Sequence, residues 1–176
     1  MSDAASDPLP EGLAEGRAEA FTALYDRYGR ALFRVAWALL RRRQDAEDAV
    51  QEVFLGLARS RATLGRIENL RAYLFGALRH AAARLAARRR TAPPRPPPEQ
   101  QRPPDAALSD WLDRAVAALP AEQREALTLK IDGGLTFEEA AAVLGVSVGT
   151  AASRYRYAIE KLQRHFREEH HASRPA

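Results

Sequence analysis

Small polar side chains followed by basic ones mark one side of a helix predicted near the C-terminus. The stretch from 135 to 162 predicts two helices, with Gly145 suited to end the first and Ser147 to cap the second. Hydroxyl and guanidinium groups can bond to base edges, and a lysine further along can meet phosphate. The pattern favours a DNA-reading helix-turn-helix over an ordinary helical hairpin with a solvated basic face. The candidate reading residues are Thr150, Ser153, Arg154, Tyr157 and Lys161.

The elements that must position this helix have clear local signals. Thr136 is a suitable N-cap, and Glu139 three residues later completes a capping box. Pro120 suits the first turn of the preceding helix, which the sequence "DGG" should end. Further upstream, "SDWLDRAVAAL" predicts a helix capped by Ser109 or Asp110. The residues expected on the buried side of the last helix are Val148, Ala151 or Ala152, Tyr155, Ile159 and Leu162.

An acidic side accompanies a buried stripe in the segment "QDAEDAVQEVF". Apolar residues recur there at helical spacing, and Asp48, Gln51 and Glu52 lie together at i, i+3 and i+4. Acids at a helix start normally complement its dipole, but Glu52 lies a full turn beyond that end. The pattern alone favours a solvated face and leaves a partner surface open as the alternative.

Arginines and aromatic residues alternate in the segment 69–90. Aromatic rings can stack on unpaired bases while arginines bind phosphates. Tyr73 is expected in the core, and the terminal arginines could merely complement the helix dipole. The whole arginine cluster nevertheless favours a nucleic-acid contact. Its polar members include Arg71, Arg79, His80, Arg84 and Arg88.

A proline-rich segment divides the chain into two blocks. Residues 91–107 hold seven of the eleven prolines, which exclude a helix there and indicate a semi-rigid linker. Neither block alternates with a period of two, so the predicted fold class is all-α. The segment "AFTALYDRYGRALFRVAWALL" is predicted to form two helices that meet near Gly29. The predicted organisation is an acidic, flexible N-terminus at 1–16, two small helical domains at 17–90 and 108–168, and a flexible tail at 169–176.

Composition narrows the class of function. The net charge is only +4, but residues 17–90 carry sixteen Arg against seven acids, and residues 148–167 carry five basic residues against one acid. Two basic surfaces suggest two contacts with a polyanion. The chain has no cysteine, no secretory signal pattern and no apolar run of the roughly 20 residues that a membrane span needs. We therefore predict a cytoplasmic protein without membrane insertion, metal site or cofactor.

The two blocks together resemble a bacterial RNA polymerase sigma factor of the extracytoplasmic-function (ECF) type. The first block has "YDRYGRALFRVAWALL", "DAEDAVQEVFLGL" and "LRAYLFGALR", and the second has "ALPAEQREALTLKIDGGLTFEEAAAVLGVSVGTAASR". The order of these segments and the linker between them also match. One departure is His80, which stands where the family often has asparagine.

The resemblance implies a division of labour between the blocks. The first would dock on the clamp helices of the largest subunit of core RNA polymerase through Asp48, Gln51 and Glu52. It would also open the −10 element of promoter DNA, and the second block would read the −35 element through the five residues of its last helix. The family often has an anti-sigma factor as a further partner. The residues implied at the −10 element are Asn69, Arg71, Arg79, His80, Arg84 and Arg88.

Two other classes of protein compete with this interpretation. A stand-alone helix-turn-helix regulator would usually need a dimer interface to read a two-fold site, and no heptad seam is present. A small helical enzyme would need a phosphate loop, an HExxH motif or a nucleophile paired with a base, and none of these patterns occurs. The sequence therefore predicts an alternative sigma factor with no catalysis of its own.

Overall fold

Helices form all of the regular structure in the residues that the computed structural model describes, which are 12–60, 64, 66–91 and 110–172. This confirms the predicted all-α class. Within that part of the chain, no helix combines the length and apolarity needed to cross a lipid bilayer. Apart from Thr91, the predicted linker lies outside the described residues. The helices are α1 (Ala18–Leu40), α2 (Arg43–Arg59), α3 (Leu70–Thr91), α4 (Asp110–Ala117), α5 (Ala121–Ile131), α6 (Phe137–Leu144) and α7 (Val148–Ala172).

The prediction of two helices meeting near Gly29 is wrong, because α1 runs unbroken through that residue. Gly29 is buried, and a Cβ there would lie 3.3 Å from the ring of Tyr25. The missing side chain therefore accommodates a neighbouring aromatic ring and does not break the helix. The chain turns at Arg41, whose left-handed backbone (φ 55°) directs its N–H to the carbonyl oxygen of Trp37 at 2.8 Å.

At both ends of the described chain, the structure extends beyond the predicted bounds of the two domains. Leu13 is buried in the core with 1% of its surface exposed, so the segment 12–16 packs against the helices. Residues 1–11 lie outside the described part. At the other end α7 continues to Ala172, which makes the first half of the predicted flexible tail helical. The first extension follows from burial of Leu13, because an apolar side chain in the core fixes the segment 12–16. The second follows from helix cooperativity, since adding residues to an existing helix costs less than starting a new one.

One hydrophobic core runs through both blocks, the first formed by α1–α3 and the second by α4–α7. Leu32, Val50 and Leu74 are buried in the first block, and Leu129 and Leu135 of the second block belong to the same cluster. A smaller cluster packs Leu119, in the turn after α4, against Leu127 of α5 and Ala158 of α7. The blocks therefore pack directly against each other through apolar side chains.

The turn between α5 and α6 lies at this contact between the blocks. Gly133 is buried there, and a Cβ on it would lie 2.6 Å from the carbonyl oxygen of Leu129 and 3.2 Å from the ring of Phe75. Phe75, in α3, is fully buried. The sequence "DGG" thus ends α5 as predicted and also lets the second block approach α3 closely.

The local signals of the helix-turn-helix are confirmed. Thr136 Oγ1 accepts the Glu139 N–H at 3.1 Å, and Glu139 Oε2 accepts the Thr136 N–H at 2.8 Å, which completes the capping box. Gly145 has a left-handed backbone, and Ser147 Oγ accepts the Thr150 N–H at 3.1 Å.

Two predicted core positions are wrong. Val148 is 43% exposed, because the burial of α7 begins only at Ala151, one turn further along. Tyr73 is 37% exposed, because it lies beside the stripe of α3 that Leu74 and Phe75 bury.

Candidate protein and nucleic-acid interfaces

The acidic face of α2, formed by Asp48, Gln51 and Glu52, points away from the core. All three side chains are exposed, whereas Val50 and Val53 on the other side of the helix are buried. Three neighbouring polar groups at helical spacing on a rigid helix can pair with a basic surface.

The acidic face of α2 is connected to α3 by an ion pair. Glu52 Oε1 accepts a hydrogen bond from Arg84 Nη2 at 2.5 Å, and both side chains are about half exposed. A proposed protein-binding residue therefore touches a proposed DNA-binding residue. The arginine limits the negative charge that this end of the face presents.

An aromatic groove adjoins the acidic face, and sequence reasoning missed it. Asp48 and Gln51 lie on the wall of a cavity of about 810 Å³ between α1 and α2. Tyr25 also lines it; this residue is 56% exposed, and its ring packs on Phe54 with a centroid distance of 5.2 Å. The sequence signal for this groove was Tyr25, an aromatic residue one helical turn before Gly29.

Asn69 caps one helix and joins a second. Its Oδ1 accepts the Ala72 N–H at 2.8 Å and so caps α3, while its Nδ2 donates to Glu139 Oε1 at 2.9 Å. Glu139 is the capping-box residue of α6, so two helix N-termini share one polar contact. In this arrangement Asn69, a predicted −10 residue, connects the two blocks.

Arg71 and Arg79 of α3 also bond to the second block. Arg71 Nη1 donates to the carbonyl oxygen of Gly134 at 3.0 Å, and Arg79 Nε donates to Glu125 Oε2 at 3.1 Å. The other α3 candidates, His80, Arg84 and Arg88, are exposed on the helix surface. The structure therefore divides the six candidates into three that face the second block and three that face outward.

An ion pair between α1 and the α5–α6 turn adds to these contacts. Arg34 Nη2 lies 2.7 Å from Asp132 Oδ1, whose side chain is 16% exposed. Burial raises the pKa of the Asp132 carboxyl, although the Arg34 charge opposes that shift. We call the four polar contacts between the blocks the seam. They are Arg34–Asp132, Asn69–Glu139, Arg71–Gly134 and Arg79–Glu125.

The candidate reading residues of α7 lie on one side of the helix, as predicted, but they differ in solvent exposure and in their intramolecular partners. Tyr157 is 49% exposed, with the Arg156 guanidinium 5.2 Å from its ring centroid. Arg154 is only 23% exposed, and its Nη2 lies 2.8 Å from Glu122 Oε2 of α5. Thr150 is exposed, with its hydroxyl 2.8 Å from that of Ser147. Ser153 and Lys161 are half-buried.

Two protein-family models match the blocks in chain order. The model of Sigma-70 region 2 matches residues 24–92, and that of Sigma-70, region 4 matches residues 109–162. The ECF RNA polymerase sigma factor SigL of Mycobacterium tuberculosis is 31% identical over an alignment of 162 residues that covers 86% of this chain and 92% of SigL. The ECF RNA polymerase sigma factor SigE of Mycolicibacterium smegmatis is 29% identical over an alignment of 143 residues that covers 75% of this chain. The chain spans only 56% of SigE's length.

Two solved structures share the fold over most of their length. The sigma factor RpoE from Bartonella quintana, in complex with the anti-sigma factor NepR, has a TM-score of 0.65 and 29% identity, covering 85% of this chain and 98% of RpoE. CnrH in complex with the cytosolic domain of CnrY has a TM-score of 0.66 and 26% identity, covering 88% of this chain and 92% of CnrH.

An all-helical chain with a region 2 block followed by a region 4 block defines a sigma factor. The chain belongs to the ECF RNA polymerase sigma factor family. It is an alternative sigma factor, a regulatory protein that directs transcription initiation to particular promoters.

Proposed function

We propose that this sigma factor docks on core RNA polymerase through the acidic face of α2 and contacts promoter DNA through α3 and α7. The observation that supports the docking most directly is the exposure of Asp48, Gln51 and Glu52 within the region 2 match. Comigration of the purified chain with core polymerase, followed by promoter-dependent transcription from the isolated complex, tests the proposal. A chain that binds promoter DNA but never comigrates with polymerase would contradict it.

The partners proposed here follow from the family and from its solved complexes. The clamp helices of the largest polymerase subunit are the proposed target of α2. Both similar structures hold a second protein, which in the RpoE complex is the anti-sigma factor NepR, so we propose an anti-sigma protein for this chain as well. The chain itself supplies binding and positioning without catalysis, and it acts in the cytoplasm, where RNA polymerase acts.

Opening of the −10 element requires α3 to exchange its present partners for DNA. Arg71 and Arg79 bond to a backbone carbonyl and to a carboxylate of the second block, groups that present negative charge as a phosphate does. Both arginines are covered by the second block on this side of α3, so a DNA strand that reaches them there must displace that block. The seam therefore parts around α3 when the promoter strand binds.

Replacing Arg79 with Ala should slow promoter opening about threefold to tenfold, because a charge-assisted hydrogen bond to phosphate is lost. Permanganate footprinting of unpaired thymines on the holoenzyme measures the rate. Glu125→Ala is the matched control, since it breaks the same ion pair but leaves the arginine in place. Glu125→Ala should not slow opening, because it only weakens the seam that has to part. If Arg79→Ala changes the opening rate in the same direction and by the same factor as Glu125→Ala, Arg79 acts only through the seam and its DNA contact is excluded.

Reading of the −35 element is assigned to α7, where Arg154 and Lys161 should have different roles. Arg154→Ala should cost about 1–3 kcal/mol on the preferred promoter and relax the sequence preference, because a base contact is lost. Lys161→Ala should weaken all promoters alike and reduce the salt slope by about one unit, as a phosphate contact does. Promoter competition on the holoenzyme across several salt concentrations measures both effects.

Glu122→Ala is the control for the Arg154 variant. It removes the ion-pair partner, which is 70% exposed, and leaves the arginine free to reach DNA. This variant should bind the preferred promoter at least as well as the unchanged protein. An equal loss on every promoter in Arg154→Ala would instead make Arg154 a phosphate anchor.

A further inference from the structure

Two large apolar side chains are exposed beside the acidic face of α2. Leu55 is 48% exposed and lies one turn beyond Gln51 on the same side of the helix. Tyr25 of α1 is 56% exposed on the wall of the aromatic groove, which Gln51 also lines. Single exposed apolar residues are common on protein surfaces, but these two flank the same polar residue. Their position indicates that both belong to the contact made by the acidic face.

The ring of Tyr25 is held on two sides before any partner binds. It packs on the ring of Phe54 at a centroid distance of 5.2 Å. One turn further along α1, a Cβ on Gly29 would lie 3.3 Å from it, so the glycine leaves the space that the ring occupies. An aromatic ring that is already ordered loses little conformational entropy on binding. Such rings are typical of the few residues that provide most of the affinity at an interface.

Charge on the wall of the aromatic groove is left mainly with its acids. The arginines there all have partners within the chain: Arg43 pairs with Glu47, Arg34 pairs with Asp132, and Arg30 has an interaction of its own. Asp26 and Asp48 are exposed on the same wall, and neither forms an ion pair with a described residue. A partner that covers the groove should therefore combine basic groups with an apolar side chain.

We propose, on the basis of the docking proposed above, that Tyr25 and Leu55 are apolar anchors that provide most of the affinity for core polymerase. The occupant is an apolar side chain on the basic surface of the polymerase clamp helices, which contacts the Tyr25 ring beside Gln51. The acids of α2 guide that surface into place and set its orientation. Exposed charge pairs add little affinity because water screens them, whereas an apolar contact that excludes water adds more.

The rates of association and dissociation with core polymerase separate the two roles. Tyr25→Ala and Leu55→Ala should each weaken binding at least about tenfold, mainly through faster dissociation, because a water-excluding contact is lost. Asp48→Asn should weaken binding less than about threefold, mainly through slower association at low salt. Reversing the acids still prevents docking, because reversal adds repulsion as well as removing attraction. Surface plasmon resonance with the full chain measures both rates.

Two control variants distinguish an anchor from a residue that only supports the fold. Tyr73→Ala removes another partly exposed tyrosine of the first block, on α3, and should leave polymerase binding unchanged. Tyr25→Phe keeps the ring and should bind polymerase as the unchanged protein does. Circular dichroism checks the helical content, which Leu55→Ala should preserve because alanine favours a helix.

The occupant is identified by replacing Tyr25 with the photoreactive amino acid benzoylphenylalanine. Irradiation of this chain with core polymerase should crosslink position 25 to the clamp helices of the largest subunit. A crosslink to another subunit, or to a second copy of the chain, would contradict the assigned occupant.

The charge-reversed variant, Asp48→Arg with Glu52→Arg, separates failure of the anchors from failure of the docking. If this variant loses polymerase binding while Tyr25→Ala and Leu55→Ala bind within about threefold of the unchanged protein, α2 docks without apolar anchors. In that case the roles assigned to Tyr25 and Leu55 are wrong. If the charge-reversed variant also binds normally, docking through α2 is wrong and the anchors are excluded with it.

Discussion

Reversing two charges on the acidic face of α2, with Asp48→Arg and Glu52→Arg, should weaken binding to core polymerase at least about 100-fold. Each reversal replaces an attraction to a basic partner surface with a repulsion, and close charge pairs at interfaces are worth roughly 2–5 kcal/mol. Both side chains are exposed, so the helical content and thermal unfolding should change little. Fluorescence anisotropy of the labelled full chain titrated with core polymerase measures the affinity.

Arg84→Ala is the necessary control, because Glu52 also pairs with Arg84. The double variant frees that arginine and sets a second guanidinium beside it. Arg84→Ala alone should leave polymerase binding within about threefold, since an exposed ion pair contributes only ~0–1 kcal/mol. A folded double variant that binds polymerase with unchanged affinity would refute docking through the acidic face of α2.

Gly133→Ala should destabilise the chain by about 2–3 kcal/mol, the upper part of the ~1–3 kcal/mol range found when atoms are forced into a packed site. The added Cβ would lie 2.6 Å from the Leu129 carbonyl oxygen, a backbone atom that cannot move without shifting the end of α5. It would also press on Phe75 and Leu135 at the contact between the blocks. The unfolding temperature should fall by roughly 5–10 °C for a chain of this size.

Gly56→Ala is the matched control for that substitution. Gly56 lies inside α2, and a Cβ there would meet nothing within 4 Å. Alanine should therefore raise stability by about 0.5–1 kcal/mol through helix propensity alone. Calorimetric unfolding of the two variants should show shifts of opposite sign. A neutral Gly133→Ala would mean that the turn can relax away from α3.

Patterns that depend on neighbouring residues were predictable from the sequence. The capping box of Thr136 and Glu139, the left-handed Gly145 and the cap at Ser147 each depend on a few adjacent residues, and the structure confirms all three. The acidic face of α2 followed from helical spacing in the same way. Local chemistry fixes such features before any tertiary contact forms.

Features that depend on packing between distant segments were not predictable. Gly29 suggested a helix break because isolated glycines lower helix propensity, yet the aromatic ring beside it decides its place in α1. The intramolecular contacts of Asn69 and Arg154 were not predictable for the same reason. Their partners, Glu139 and Glu122, are 70 and 32 residues away along the chain, and no spacing rule connects them.

The two carboxylate oxygens of Glu139 accept hydrogen bonds from different partners, and this has a kinetic consequence. Oε2 stays within its own turn as the cap of α6, and Oε1 reaches across to Asn69. Release of Asn69 removes only the second bond, so α6 keeps its cap when the blocks part. In the proposed function, the second block therefore leaves α3 with α6 already capped, so α6 does not have to form again before the block binds DNA. Its departure must also break the other three polar contacts of the seam and separate the apolar surfaces of the two blocks.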